Sequence, residues 1–188
     1  MVKKKGKRDD SYFAAERRKN KNTRLLIIAA VIGGAMAMVG AAFAYQSLNP
    51  PAPYVFGSAH EHAVFAVILD GEKIDFSQPR YQVQSNFIHV EGGDGTTLHR
   101  HAEGVPFGEF LNSVRMGIQD GCFIRDDGAQ FCDDGFSQLR FFVNGQEVDS
   151  IVDNVLAEED RFLVIYGNQT EEEIQQEIEL LENTEVIG

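Results

Sequence analysis

The stretch His62-Ala-Val-Phe-Ala-Val-Ile-Leu69, closed by Asp70-Gly71, decides how the folded part of this chain is read. Its β-branched and aromatic residues favour a strand, and Asp-Gly is a pair that lets a strand reverse. Lys73-Ile-Asp-Phe76 then resumes as the returning arm of a hairpin. Further out, Phe87-Ile-His-Val90 and Thr97-Leu-His-Arg-His101 flank the Gly-rich turn Gly92-Gly93-Asp94-Gly95, which predicts a second hairpin. Pro106 suits the first turn of a helix, and Phe107, Phe110, Leu111 and Val114 recur after it at helical spacing. Leu139-Arg-Phe-Phe-Val143 meets the strong turn pair Asn144-Gly145, and Arg161-Phe-Leu-Val-Ile-Tyr166 reads as a buried strand ending at Gly167. A terminal helix follows. Thr170 and Glu173 have the capping-box spacing, Glu171 to Glu173 complement the helix dipole, and Ile174, Ile178 and Leu181 form one stripe to pack on the domain. Strands, a helix, strands and a last helix predict an α+β domain: one mostly antiparallel sheet with a packed helix, β-grasp-like by analogy, and a C-terminal helix.

The 188 residues leave room for one such domain plus appendages. Leu25 to Tyr45 carries no charge over 21 residues, which as a helix spans about 30 Å, the thickness of a bilayer's hydrocarbon. This predicts a transmembrane helix over 25–45. Ten of the 17 Lys and Arg precede it and none follows until Lys73, so the positive-inside rule makes 1–24 a basic cytosolic tail. The chain is then a single-pass cell-membrane protein with its bulk extracytoplasmic. Ala42-Phe43-Ala44 resembles a signal-peptide cleavage site, but the apolar run is longer than a usual signal core, which favours an uncleaved anchor. Residues 46–53, with Asn49-Pro50-Pro51-Ala52-Pro53, form a stiff linker to a domain over 54–188. From residue 46 onward seven basic residues face 26 acidic ones, a net charge of −19. That charge repels phosphate backbones and argues against nucleic acid as a partner.

Cys122 and Cys132 bracket nine residues centred on Asp126-Asp127-Gly128. With those three as a hairpin loop and Gly in the left-handed position, the two cysteines face each other within bridging distance. An extracytoplasmic location favours a structural disulfide. A thiol oxidoreductase is the alternative, although no C-x-x-C motif is present to lower a thiol pKa. Asn168-Gln169-Thr170 is an N-glycosylation sequon. Asp126-Asp127 and Asp133-Asp134 have the composition of a Ca²⁺ site, but Asp is equally at home in hairpin turns.

All five histidines, His60, His62, His89, His99 and His101, fall within 42 residues, and the other 146 residues contain none. The pairs His60/His62 and His99/His101 each have spacing two, which on a strand puts both rings on one face and the middle residue on the other. Two such pairs on neighbouring strands, with His89 across the Gly-rich turn from His99, can converge on one divalent ion. Imidazole suits Cu²⁺ and Zn²⁺, and three or four neutral rings suffice to hold either. Glu61, Glu91, Glu103 and Asp94 are candidates to orient the rings or to add a carboxylate ligand. The competing readings are a wet, pH-responsive histidine surface without metal and, behind it, catalytic acid–base use of the rings. The protease motif H-E-x-x-H, a nucleophile elbow, a phosphate loop and EF-hand spacing are all absent, which disfavours an enzyme of those classes.

Five segments together resemble a known group: His60-Glu-His-Ala-Val-Phe65 with Asp70-Gly71, Asp75-Phe76-Ser77, Ile88-His89-Val90-Glu91, Leu98-His-Arg-His-Ala-Glu-Gly104 and Phe107 to Leu111. The chain is similar here to small archaeal membrane-anchored, His-rich extracytoplasmic domain proteins, which often carry an automatic label of protein disulfide isomerase. The resemblance covers residues 60–111 closely and the later hairpin and final strand loosely. It implies a shared histidine site behind an N-terminal anchor, and copper ahead of zinc because that lineage handles copper outside the membrane. Three functions follow as expectations. The first is an anchored metal-binding module; the second is a non-enzymatic ectodomain that docks a membrane-complex or surface-layer protein; the third is the thiol oxidoreductase.

Overall fold

The computed structural model describes residues 9–48 and 54–187, so most of the linker and the first lysines of the tail lie outside the described residues. The chain divides into two units, residues 1–52 and 53–188. The first consists of α1 (Asp9–Leu48), within which Thr23–Tyr45 is long and apolar enough to cross a membrane.

The second unit runs β1 (Glu61–Leu69), β2 (Glu72–Lys73), β3 (Ile88–His89), β4 (Thr97–Arg100), α2 (Phe107–Ser113), β5 (Gly117–Gln119), β6 (Cys122–Ile124), β7 (Gln130–Cys132), β8 (Gln138–Val143), β9 (Gln146–Val148), β10 (Arg161–Gly167) and α3 (Glu171–Glu182). Both strong turn pairs act as read from the sequence. Asp70 and Gly71 have φ of 52° and 80°, and Asn144 and Gly145 of 51° and 73°, the paired left-handed residues that a tight hairpin requires. The main sheet has the order β3-β4-β1-β10-β8-β9, with β2 on the edge of β1, and β5-β6-β7 form a separate small sheet.

The sheet is mostly antiparallel, as expected, but its central pair is parallel: β1 runs beside β10 from Val64/Arg161 to Leu69/Tyr166. A parallel pair needs a crossover between its strands, and here everything from β2 to β9 serves as that connection. The first hairpin is also shorter than expected. Its returning strand stops at Lys73, and Phe76 leaves the ladder to be buried in the core beside the Phe65, Tyr81 and Phe110 rings.

Alternation along β1 explains why its run is apolar throughout. Ala63, Phe65, Val67 and Leu69 point into the larger core, with Phe76, Leu98, Phe107, Phe110 and Phe162. Val64, Ala66 and Ile68 point the other way, against Leu163, Ile165 and the α3 stripe Ile174, Ile178 and Leu181. A strand covered on both faces has no side that must be polar. The capping box holds α3 in place: the Thr170 hydroxyl accepts from the Glu173 N–H, and the Thr170 N–H donates to the Glu173 carboxylate at 2.8 Å. On the opposite face, α2 packs so closely on the chain at Val152 that a β-carbon on Gly108 would lie 2.5 Å from Val152 Cγ1.

Cys122 stands opposite Cys132 in the β6/β7 register and is bonded to it, with the α-carbons 4.1 Å apart. Gly128 takes φ of 86° in the connecting loop, as the sequence requires. The bridge closes a short loop, so Cys122→Ser with Cys132→Ser should destabilise the domain by about 2–3 kcal/mol in urea unfolding. Metal uptake should be unchanged, because the bridge belongs to the small sheet and the histidines to the main one.

Candidate metal centre

Strand register assembles the histidines. β1 and β4 pair with His62 opposite His99, and β3 and β4 pair with His89 opposite the same His99. The sheet order β3-β4-β1 therefore sets His89, His99 and His62 in one row across three strands. His60 lies two residues before His62 and His101 two after His99, so both fall on the same face one step along. Ring centroids are 4.8 Å apart for His60/His62 and 4.9 Å for each of His60/His101, His62/His99 and His89/His101. The structure thus gathers all five rings. They occupy the start of β1 on the face whose far end, Val64 to Ile68, is covered by α3.

His60, His62 and His99 each offer a nitrogen within 4.8 Å of the other two, and this trio can hold a metal ion. The closest approach is His60 Nε2 to His62 Nε2, 3.1 Å. Two nitrogens on one ion at about 2.0–2.1 Å lie about 2.9 Å apart at a right angle and about 3.3 Å apart at the tetrahedral angle. The His60/His62 spacing falls between these values. His99 must draw in somewhat to join them.

Carboxylates fix the ring orientations. The Glu158 carboxylate accepts from the His62 backbone N–H at 2.7 Å, and its other oxygen lies 3.3 Å from His62 Nδ1. A proton on Nδ1 directed at Glu158 leaves the Nε2 lone pair facing His60, the carboxylate–histidine arrangement that metal sites use. On the other side, His89 Nδ1 is 2.7 Å from the Ser85 carbonyl and its Nε2 is 3.1 Å from Glu91 Oε2. The second Glu91 oxygen is 4.0 Å from His99 Nδ1.

The electrostatics favour the ligating forms. The hydrogen bond from His89 and the neighbouring rings lower the Glu91 pKa, and the His62 backbone N–H lowers that of Glu158. Burial, reinforced by the adjacent imidazoles, lowers the pKa of His99 and of His101. Neutral imidazole is the form that binds metal. Because these two rings hold protons less well folded than unfolded, the unfolded chain gains protons first on acidification. Stability should therefore be complete above the ordinary histidine value near 6.5 and fall as pH drops below it through the lower folded values. Urea midpoints of the metal-free protein at pH 7.5 and 5.5 check this; equal midpoints would contradict it.

Of the acidic candidates, only Glu91 reaches the rings as expected. Glu61 is the middle residue of its His pair and lies on the other face, 3.8 Å from the buried Arg100. Asp94 is consumed by its turn, accepting from the Thr96 and Thr97 N–H groups and the Thr96 hydroxyl. Glu103 is exposed, with its backbone N–H on the Ser58 hydroxyl. The aspartate pairs are likewise occupied: Asp126 by Arg80 and the Tyr81 hydroxyl, Asp127 by Arg125, and Asp133 and Asp134 by backbone N–H groups of residues 136–139. Glu158, 96 positions from His62, was invisible to any local pattern. Asn168 is exposed between β10 and α3. No protein-family model, no curated protein and no solved structure matches the chain.

Proposed function

We propose that this chain is a membrane-anchored protein whose extracytoplasmic domain binds a divalent ion, copper or zinc, through its histidine cluster. The observation that carries the reading is the 3.1 Å approach of His60 Nε2 and His62 Nε2, with Glu158 behind His62. An all-imidazole set with nearby carboxylate accepts both ions, and among first-row divalent metals Cu²⁺ binds such donors most strongly. The anchored topology rests on the apolar helix and on the basic residues that precede it. Kinship with the archaeal anchored ectodomains, glycosylation at Asn168 and docking to a membrane or surface-layer partner belong to the same proposal. So does the β-grasp-like reading, which the parallel β1/β10 pair between antiparallel neighbours supports.

The test is the metal content of the full chain, purified without a His tag, dialysed against Cu²⁺ or Zn²⁺ and then against buffer. At least one equivalent retained, with a raised melting temperature, is the expected result. A chain that retains none and melts unchanged would leave the ectodomain without a metal role.

A further inference from the structure

Arg100 has no lone pair to offer an ion, yet it is buried beside the histidines, 6% exposed. It stands between His99 and His101 on β4, so its side chain leaves the sheet on the other face, with Leu98 and Ala102 of the larger core. A guanidinium taken out of water is costly, and an apolar side chain of similar volume would fill the space without that cost. Its contacts are ones that an apolar side chain cannot make. Nε donates to the Leu156 carbonyl at 2.8 Å and Nη1 to the Ala102 carbonyl at 2.7 Å, while Nη2 lies 3.8 Å from Glu61 Oε1.

Each of these partners adjoins a part of the metal centre. Glu61 separates His60 from His62 and is the register partner of Arg100, as His62 is of His99. Ala102 follows His101 directly. Leu156, itself buried, leads into the turn 157–160, which the Asp160 N–H closes on the Ala157 carbonyl at 3.2 Å. That turn grips His62 at both backbone groups. The Glu159 N–H donates to the His62 carbonyl at 2.8 Å, and the His62 N–H donates to the Glu158 carboxylate at 2.7 Å. From there Glu158 reaches the ring, at 3.3 Å from His62 Nδ1. Arg100 therefore pins from the core side the same turn that orients His62 from the other.

We infer that Arg100 is a positioning residue of the metal centre: through the Leu156 carbonyl it holds the 157–160 turn against β4, and so sets Glu158 behind His62 and keeps the His60/His62 pair beside His99. It touches no ion itself. This rests on the metal-binding reading above and deepens it. Without the guanidinium the Leu156 carbonyl loses its bond, and the turn regains a partner for it only by moving toward water. Glu158 then leaves His62 Nδ1, and the imidazole is free to turn its Nε2 away from His60.

The experiment compares the full, tag-free chain with Arg100→Met, Arg100→Lys and Phe110→Leu, the last a change in the core on α2. Calorimetry reads the Cu²⁺ affinity, electron paramagnetic resonance the copper ligand field, and metal-free melts the stability of each. Arg100→Met should weaken Cu²⁺ binding by about 10–100-fold and change the copper hyperfine splitting. Phe110→Leu should lower the melting temperature and keep the parental affinity and spectrum. Arg100→Lys retains the charge but not the fork that spans two carbonyls, so it should show the same spectral change with a smaller loss of affinity. It carries the test if Arg100→Met does not fold. Parental affinity and spectrum in the folded Arg100 variants, or equal losses in Phe110→Leu, would overturn the positioning role and leave the metal-binding function intact. No bound Cu²⁺ in the parent chain would remove the function itself, and the role with it.

Discussion

His60→Ala combined with His62→Ala should abolish the thermal stabilisation that saturating Cu²⁺ gives the protein. At 100 times the dissociation constant, an ion that binds only the native state contributes about 2.7 kcal/mol. The double variant removes the closest pair of nitrogens in the trio and with them the orienting contact to Glu158. An affinity loss of 100-fold or more at this position follows, because one remaining imidazole cannot hold the ion against water. The metal-free melting temperature should change little, since His60 is exposed and His62 only partly buried. Glu158→Gln offers a graded companion: the ligands stay, but the partner on His62 Nδ1 is weakened, for a loss of about 10–100-fold. Differential scanning fluorimetry with and without Cu²⁺, followed by calorimetry, reads both. A copper-induced shift of undiminished size in the double variant would show that the ion binds elsewhere.

Phe65→Ala should be the most destabilising single change on β1. The side chain is completely buried, with ring centroids 4.9 Å from Phe76, 5.0 Å from Phe110 and 6.1 Å from Phe107. It joins the central strand to α2 and to Phe76 in the segment that follows β2. Removing a buried phenyl ring costs about 3–5 kcal/mol, the lost transfer energy plus the cavity left among partners that relax incompletely. In a domain of this size that lowers the melting temperature by roughly 10–20 °C. Phe65 faces away from the histidines, so the variant should still bind metal when cold and folded. A loss below 1 kcal/mol would mean that the aromatic cluster is not the organising core.

The elements were legible wherever local chemistry decides them. Asp70-Gly71 and Asn144-Gly145 need left-handed backbone that few other pairs supply, and both make hairpins. Thr170 and Glu173 satisfy each other within one helical turn, so the start of α3 is written in four residues. The disulfide was legible for a similar reason, because a three-residue loop leaves only one register. Less was legible where distant segments meet. The pairing of β1 with β10 joins residues about a hundred positions apart, and an apolar run reads the same in a parallel or an antiparallel neighbour. Glu61 obeys the same local rule, since the alternation that aligns His60 with His62 sends the residue between them to the opposite face, beside Arg100.

Spacing along the chain determined that the histidines would lie in same-face pairs, because side-chain direction on a strand alternates whatever surrounds it. Tertiary structure alone decided that the pairs share a row with His89 and that Glu158 arrives behind His62. The reason is that strand register and the return of the chain before β10 depend on burying Phe65, Phe107 and Phe162 in one core. That burial is collective and leaves no trace in the residues beside each ligand.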